Sequence, residues 1–316
     1  MSRLFRDVEG GPRCPHGSVV CIGAFDGLHL GHQALVRHAV ARARALGVPA
    51  VALSFEPLPR EFFATGRPPA RLLRPWAKAC GLFELGADEV GLLRFDRRLS
   101  ALDAGEFIRR VLVGRLAARE VWVGPEFRFG HRRSGDLASL QSSGAEHGFF
   151  AGAIEPVLVD GERVSSSAIR AALASGDFDT AARLLGRPYA ICGRVVRGRQ
   201  LGRTLGMPTA NLRLGGREPA LSGIFACRVS GVGDGAWPAV ASLGTRPTVD
   251  GVEPLLEVHL LDFDGDLYGR RLEVEFVAKL RDEVRFADLD ALTAQMHRDA
   301  RQARDLLLHD QRRAFG

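Results

Sequence analysis

Two histidines three residues apart, His29 and His32, lie in the segment 23–32, GAFDGLHLGH, which follows an apolar run. Its residue types suit phosphate binding: Gly27 and Gly31 allow close backbone approach, and a following helix would present N–H groups and a positive dipole end. Two imidazoles on one face of the first turn can donate hydrogen bonds to phosphate oxygens as charge develops. An isolated HxxH pair is more often a surface or core feature, and zinc is disfavoured because no third ligand occurs at metal-binding spacing.

A second group of polar residues lies in a glycine-rich part of the second half. Its glycine turns and arginines, among them Gly198 and Arg203, suit a phosphate cradle. The hydroxyl of Thr209 and the side-chain carbonyl of Asn211 are hard oxygen ligands of the kind that Mg²⁺ prefers. By composition alone, a polar β-turn is the simpler interpretation.

An acidic residue, Glu257, follows this group in an alternating segment, 256–262. The alternation predicts a strand on which Glu257, His259 and Leu261 share one face. A glutamate placed in this way can serve as a general base, but a solvated strand glutamate is the more common case.

The elements predicted around the first histidine segment alternate between strands and helices. Apolar runs predict strands at 18–25, 49–55, 89–95 and 120–124, and helical periodicity predicts helices at 31–46, 74–85 and 104–116. Asp103 is the predicted N-cap of the third helix. Such alternation favours a parallel sheet with crossover helices, in which ligands bind at the carboxyl ends of the strands.

The second half has a different pattern, which begins after two short predicted helices at 165–175 and 178–185. From Tyr189 onward, short β-like runs separated by glycine turns, including a hairpin at 231–235, predict an antiparallel sheet or small barrel. A helix is predicted from about residue 287 to residue 308. We therefore predict an α/β domain at residues 1–185, with a parallel sheet, and a β-barrel domain with a C-terminal helix at 186–316.

Length and composition agree with a two-domain globular protein. The chain has 316 residues, of which 46% are hydrophobic and 25% charged. Its net charge of +6 suits anionic partners, either nucleotides or nucleic acid, and does not choose between them. Five cysteines without a CxxC pair argue against a zinc site or a disulfide framework and favour a reducing cytoplasm. The N-terminus does not resemble a signal peptide, and no apolar run approaches a membrane span.

A GxxxxGK[ST] loop and a GxGxxG fingerprint are both absent, which argues against P-loop ATPases and NAD enzymes.

The segment 23–32 resembles the GxFDGxHxGH signature of the nucleotidyltransferase superfamily related to class I aminoacyl-tRNA synthetases. Members of this superfamily attack the α-phosphate of a nucleoside triphosphate and expel pyrophosphate. The resemblance implies a Rossmann-like domain in which His29 and His32 are catalytic. It also implies that four further residues of the segment bind ATP: Gly23, Phe25, Asp26 and Gly31.

A serine-rich turn at 165–167 matches the second signature of that superfamily. Alone, such a turn would be an ordinary helix N-cap. The resemblance implies that Ser166 and Ser167 bind the triphosphate, and that Arg170 stabilises the leaving pyrophosphate.

Further segments resemble one branch of the superfamily, the bacterial bifunctional riboflavin kinase/FAD synthetase (FMN adenylyltransferase) family. They are 54–63 (SFEPLPREFF), 94–98 (RFDRR) and 123–130 (VGPEFRFG). The resemblance implies that Phe127 binds the flavin. Three positions depart from the family pattern, in loops expected near the adenine and the flavin: Leu58, Pro125 and Glu126.

In the second half, the sequence Pro-Thr-Ala-Asn at 208–211 after a glycine loop resembles the riboflavin kinase signature. For this site the resemblance implies ATP contacts from Gly198 and Arg203, metal ligation by Thr209 and Asn211, and Glu257 as the base. The segment 280–286 (LRDEVRF) resembles the family's LRxExxF flavin loop, which implies flavin contacts from Arg281 and Phe286.

The expected function is two-step flavin-cofactor synthesis: ATP-dependent phosphorylation of riboflavin to FMN with Mg²⁺, then adenylylation of FMN to FAD. The expected partners are riboflavin, FMN, FAD and ATP, without nucleic acid or membrane, while the oligomeric state cannot be read from the sequence. One alternative is an enzyme with the kinase activity alone. A second is a nucleotidyltransferase for another phosphorylated substrate, which leaves Thr209, Asn211 and Glu257 unexplained. A third, a nucleic-acid-binding barrel, would need clustered basic residues interleaved with aromatic ones.

Overall fold

The computed structural model describes residues 4–198, 202, 205–214, 218–248 and 251–314. It divides into two compact units. One comprises the chain up to Pro69 together with Leu73–Ser166, and the other comprises Ala70–Leu72 and the chain from Ser167 onward. The domain boundary proposed from the sequence, between residues 185 and 186, stays a prediction.

The first unit is built on a sheet of six parallel strands in the order β1-β4-β3-β2-β5-β6. Every residue of β2 is buried, as expected for a strand that helices cover on both faces. The predicted parallel sheet is therefore confirmed. The strands are β1 (Leu4–Phe5), β2 (Ser18–Ile22), β3 (Ala50–Glu56), β4 (Glu89–Arg94), β5 (Ala118–Val123) and β6 (Phe150–Ala153), and β7 (Leu158–Val159) and β8 (Glu162–Arg163) form a separate hairpin.

The helices of this unit begin and end with recognisable caps. The first of them ends at Gly47, which has a left-handed backbone (φ +65°). The predicted N-cap at Asp103 is confirmed, since its carboxylate accepts a hydrogen bond from the Glu106 N–H at 2.7 Å. The helices are α1 (Leu30–Leu46), α2 (Pro59–Phe62), α3 (Pro75–Glu84), α4 (Arg97–Ala101), α5 (Ala104–Phe107) and α6 (Leu137–His147), with a 3₁₀ turn at His131–Arg133.

The predicted helix at 104–116 differs from the observed one in its second half. After α5 the chain continues as a π-helical segment, Ile108–Arg115. At the end of this segment the buried Arg115 guanidinium donates hydrogen bonds to the carbonyls of Asp7 and Gly11 at 3.0 and 2.8 Å. The π-helical turns thus occur where the chain contacts the N-terminal segment. Such long-range contacts cannot be predicted from the periodicity of the segment itself.

The strand order places a crevice at the end of β2. From β2 the chain builds the sheet outward through β3 and β4, and it later returns to add β5 on the other side of β2. Where the direction of strand addition reverses, the following loops leave in opposite directions and open a crevice for ligands. The histidine segment starts directly after β2, so the fold places it at this reversal point.

The second unit contains a closed antiparallel barrel with the strand order β10-β13-β12-β11-β14-β9, which confirms the predicted small barrel. The predicted hairpin at 231–235 is confirmed between β11 and β12, and the helix at 178–185 has the predicted bounds. The strands are β9 (Ala190–Val196), β10 (Ala210–Arg213), β11 (Gly223–Gly233), β12 (Gly235–Thr248), β13 (Gly251–Leu260) and β14 (Arg271–Arg281). The helices are α7 (Ser166–Ser175), whose first residue belongs to the first unit, α8 (Phe178–Leu185) and α9 (Leu289–Ala314). Within the described part of the chain, no helix combines the length and hydrophobicity that crossing a membrane requires.

Candidate active sites

The turn between β2 and α1, residues 23–29, has an unusual backbone. Phe25 and Leu28 have φ angles of +49° and +47°, and Gly27 has a φ of +91°. A side chain in this left-handed region costs about 1–2 kcal/mol per residue, and such conformations persist only where the surroundings impose them. Phe25 and Leu28 are both buried, so packing holds the turn in this form.

Hydrogen bonds from several elements hold the turn from inside. The Ser166 hydroxyl donates to the Asp26 carbonyl at 2.9 Å, and the Gln33 amide donates to the Leu28 carbonyl at 2.9 Å. The fully buried Asp26 carboxylate accepts from the Leu73 N–H at 3.1 Å and from the Arg60 guanidinium at 2.7 Å. Asp26, a predicted ATP ligand, is thus engaged with protein groups, and its contact with ATP stays a prediction.

The two histidines pack against each other at the start of α1. Their rings are stacked with centroids 3.6 Å apart, and His29 is the N-cap, its Nδ1 accepting the His32 backbone N–H at 3.3 Å. An Nδ1 that accepts must carry a lone pair, so the proton of a neutral His29 lies on Nε2. The structure therefore brings the two predicted catalytic imidazoles together and fixes the tautomer of one.

The environment of His32 disfavours a charged imidazole. Burial lowers its pKa well below the ordinary value, and the neighbouring His29, Lys78 and Arg60 lower it further. The ring nitrogen Nδ1 of His32 is buried without a hydrogen-bond partner. His32 is consequently neutral at pH 7.

The two predicted glycines of this segment lie in close contact with its aromatic rings. A Cβ at Gly23 would lie 2.9 Å from the Phe25 ring, and one at Gly31 would lie 3.3 Å from the His29 ring. A side chain at Gly23 would therefore shift the Phe25 ring, whereas one at Gly31 would make a tight contact with the His29 ring.

The remaining predicted triphosphate ligands lie on α7. Ser166 contacts the turn, as described above, whereas Ser167 and Arg170 belong to the second unit. There the Arg170 Nε donates to the Ala70 carbonyl at 2.6 Å. The predicted contacts of Ser167 and Arg170 with a triphosphate stay predictions.

An aromatic cavity of about 730 Å³ opens at the carboxyl ends of the strands in the first unit. Phe127, the predicted flavin ligand, lines it and stacks on Phe129 with ring centroids 5.5 Å apart. Gly23 and Arg60 also line it, so the cavity is continuous with the histidine turn. Three further aromatic residues of the wall, Phe55, Phe63 and Phe95, lie in the segments that carry the family resemblance, although no flavin contact was predicted for them individually. Sequence reasoning missed Phe107, which lies outside these segments.

The departures from the family pattern lie at different depths. Leu58 is buried, with 1% of its surface exposed. Glu126 lines the cavity and forms an exposed ion pair with Arg163 at 2.8 Å. Leu58 is therefore a packing residue, and Glu126 lies at the mouth of the cavity.

In the barrel, a row of directly opposed residues runs across five strands. Asn211 of β10 is paired with Glu257 of β13, Glu257 with Ser242 of β12, Ser242 with Ile224 of β11, and Ile224 with Arg281 of β14. Directly opposed residues project their side chains on the same face of a sheet. One face thus collects three predicted site residues that lie as much as 70 residues apart in the chain.

This row lies on the outer face of the barrel. The neighbours of Glu257 along β13, Leu256 and Val258, are fully buried, and α9 packs across β11, β12 and β14. Between the outer face and α9 lies a cavity of about 380 Å³. Its lining includes four predicted site residues: Thr209, Glu257, Arg281 and Phe286.

Asn211 and Gly198, also predicted for this site, pack against each other. A Cβ at Gly198 would lie 2.5 Å from Asn211 Oδ1, so a glycine at 198 makes room for the amide. Leu261, predicted to share a face with Glu257, is buried in the turn after β13. Arg203 lies outside the described residues.

The orientation of Arg281 depends on a residue that sequence reasoning missed. Asp299 of α9 is 3% exposed and accepts hydrogen bonds from Arg281 Nε at 3.0 Å and Nη2 at 2.7 Å. The guanidinium carbon of Arg281 lies 5.7 Å from the centre of the Phe286 ring. A bidentate pair fixes the plane of a guanidinium, so Asp299 aims Arg281 into the cavity.

For riboflavin, the substrate that the family resemblance implies for this cavity, we expect Asp299→Asn to raise the KM about tenfold. The change in kcat should be smaller, because a neutral amide loses the charge-assisted bidentate contact. Steady-state assays of FMN formation measure this effect. Asp262→Asn is the matched control, because the ion pair of Asp262 with Arg304 is exposed and contributes little. An unchanged KM in Asp299→Asn would contradict the role of Asp299.

Comparison with known proteins covers both units. A family model described as FAD synthetase matches residues 11–168, and one described as riboflavin kinase matches residues 185–307. A bifunctional riboflavin kinase/FMN adenylyltransferase from Escherichia coli K12 is 45% identical over 304 residues, covering 96% of this chain and 97% of the relative. One from Pseudomonas fluorescens is 49% identical over 291 residues, covering 92% and 93%. A solved structure described as a macrolide-efflux protein from Streptococcus pneumoniae has a TM-score of 0.77 and 29% identity, covering 95% of this chain and 98% of the other.

Proposed function

This chain belongs to the bifunctional riboflavin kinase/FMN adenylyltransferase family, and we propose which of its residues carry the two activities. With ATP it phosphorylates riboflavin to FMN and then adenylylates FMN to FAD. We assign the kinase to residues 186–316 and the adenylyltransferase to residues 1–185.

The kinase assignment depends on one observation: Glu257, Asn211 and Arg281 share one barrel face beside a cavity. In the proposed reaction, the Glu257 carboxylate accepts the proton of the ribityl 5′-hydroxyl. The hydroxyl oxygen then forms a bond to the γ-phosphorus of ATP as the bond to the bridging oxygen breaks, and ADP leaves. Arg281 and Phe286 hold the isoalloxazine, and Gly198 and Arg203 belong to the ATP site.

The donor set of this site fits Mg²⁺. Thr209 and Asn211 offer a hydroxyl and an amide carbonyl, and Gly198 leaves the amide room. Among the described residues, no group of three His, Cys, Asp or Glu side chains could hold a metal ion. Mg²⁺ typically takes few protein ligands and completes its octahedron with water and substrate phosphates. When bound there, the metal would neutralise phosphate charge during transfer.

For adenylyl transfer, we propose that the aromatic cavity holds the flavin of FMN and that the histidine turn holds the α-phosphate of ATP. An FMN phosphate oxygen bonds to the α-phosphorus, and pyrophosphate leaves. His29, which carries its proton on Nε2, donates a hydrogen bond to the phosphoryl oxygens, where preorganised donors stabilise developing charge. His32 supports the same charge, and Gly23, Phe25, Asp26, Gly31 and Ser166 belong to the same ATP site. A role of Ser167 and Arg170 in binding the triphosphate stays a prediction from the sequence.

The test is a time course with riboflavin, ATP and Mg²⁺, in which the flavins are separated by chromatography. We expect FMN to appear first and FAD to follow, and we expect excess EDTA to stop FMN formation. FMN without FAD would contradict the adenylyltransferase assignment and direct attention to Pro125 and Glu126, while the absence of both products would contradict the whole proposal.

We also propose a cytoplasmic location. All five cysteines are free thiols, and burial raises the pKa of Cys21 to about 12. Free buried thiols suit a reducing compartment, which is also where ATP is available.

A further inference from the structure

We propose that Lys78 is a positioning residue for adenylyl transfer, whose buried ammonium fixes the Ala24 carbonyl and places a positive charge beside the histidine pair. This inference rests on the proposed function of the histidine turn. Lys78 lies on α3, outside every motif that the sequence analysis singled out, and it does not line the aromatic cavity.

The residue type at this position is distinctive. Lys78 has no exposed surface, although lysine is among the residues least often fully buried. Lys78 and Lys279 are the only lysines of the sequence, and the other 41 of its 43 Lys and Arg residues are arginines. An ammonium is compact and has three rotatable donors, whereas a guanidinium is a wide planar fork. In a chain that uses arginine almost everywhere, a lysine here indicates a site shaped for an ammonium.

The Lys78 ammonium and a neighbouring hydroxyl converge on one carbonyl. Lys78 Nζ donates to the Ala24 carbonyl at 2.9 Å and lies 3.3 Å from the Ser54 hydroxyl oxygen. The Ser54 hydroxyl donates to the same carbonyl at 3.0 Å. A carbonyl oxygen has two lone pairs, so donors from α3 and β3 occupy both. The peptide that joins Ala24 to Phe25 is thereby fixed just before the left-handed residue.

Helix α3 contacts the turn a second time, one helical turn further on. Residues three apart lie on one helix face, and Gly81 packs against Leu28: a Cβ at Gly81 would lie 2.5 Å from Leu28 Cδ1. Lys78 holds the start of the turn and Gly81 accommodates its end, next to the two strained residues Phe25 and Leu28. One helix face therefore supports the conformation that presents the histidines.

The charge of Lys78 also acts on His32. The charged and titratable groups that act on His32 are His29, the N-cap of its helix, Lys78 from α3 and Arg60 from α2. Arg60 is paired with the Asp26 carboxylate. After burial and His29, Lys78 is the next cause of the lowered pKa of His32. Removing the positive charge makes protonation easier, so the pKa rises and the imidazolium persists to higher pH.

The experiment uses the full chain and measures two activities in each preparation: FAD formation from FMN and ATP, and FMN formation from riboflavin. For Lys78→Met we expect the kcat of FAD formation to fall about 10- to 100-fold, the loss that a misplaced reacting group produces. The KM for FMN should change less than kcat, since Lys78 itself does not line the flavin cavity and acts on it only through Ala24. The acid limb of the FAD pH profile should move to higher pH, and riboflavin phosphorylation should be unchanged.

Two variants separate charge from geometry. Lys78→Arg keeps the charge but not the compact donor, so kcat should fall while the acid limb stays in place. Lys279→Met is the matched control, because it removes the chain's other lysine from the second unit, and FAD formation should be unchanged.

The proposal is overturned if Lys78→Met forms FAD within twofold of the wild-type rate, or if its kcat falls while the acid limb does not move. If Lys78→Met does not fold, the variant Ser54→Ala tests the proposal instead. It removes one donor to the Ala24 carbonyl and should slow FAD formation about three- to tenfold, and an unchanged rate overturns the proposal. Normal FAD formation in His29→Ala would instead contradict the proposed function of the turn itself.

Discussion

Replacing Glu257 by alanine is expected to lower riboflavin phosphorylation about 1,000-fold while adenylylation of supplied FMN continues within about twofold of the wild-type rate. A positioned general base contributes about 10²- to 10⁴-fold to such a reaction. Of the carboxylates that line the barrel cavity, Glu257 is the one paired directly with Asn211 across the sheet. Separate assays of FMN formation from riboflavin and of FAD formation from FMN measure the two effects.

Glu257→Gln is the matched control for this result. Glutamine keeps the size of the side chain and its place between Asn211 and Ser242, but it cannot accept a proton. If Glu257 acts as the base, Glu257→Gln should be as slow as Glu257→Ala. Phosphorylation at more than a tenth of the wild-type rate in either variant would show that Glu257 is not the base.

The second large effect is expected in His29→Ala, which should lower FAD formation about 10²- to 10³-fold and leave riboflavin phosphorylation intact. Removing one preorganised donor at a site of developing charge has this magnitude. Because the assays use the same protein sample, the retained kinase activity shows that the second unit is folded. Loss of both activities in a folded protein would contradict the two-site arrangement.

His29 has two roles that a single substitution does not separate. Its Nδ1 caps α1, and loss of an N-cap costs about 1 kcal/mol of stability. Asparagine is a good N-cap but lacks the second ring nitrogen. In thermal unfolding, His29→Asn should therefore regain the stability that His29→Ala loses, while FAD formation should stay as slow as in His29→Ala. Recovered activity in His29→Asn would mean that capping, not phosphate contact, explains the first result.

The sequence alone was sufficient for the features that short stretches of chain encode. The strand–turn–helix at 18–46 and the helix at 178–185 follow from apolar periodicity, glycine placement and caps, all of which act over a few residues. Shorter elements, such as β1 and α2, escaped prediction because two to four residues do not establish a period.

Motif residues were also accessible from the sequence, because each motif is continuous in the chain. The stacking of His29 on His32 follows from three-residue spacing at a helix start. The meeting of Thr209, Glu257, Arg281 and Phe286 in one cavity was expected only through the family resemblance.

Tertiary structure decided which residues support these motifs. The partner of Arg281 is Asp299, which becomes its neighbour only when α9 crosses the barrel. Likewise, Lys78 reaches Ala24 only because α3 packs against β4 in the folded sheet. Alternation identifies the face of a strand, but the register around a closed barrel and the docking of a helix depend on non-local packing. The residues near Asp299 and Lys78 in the chain therefore do not indicate which site each one supports, and only the three-dimensional arrangement identifies these roles.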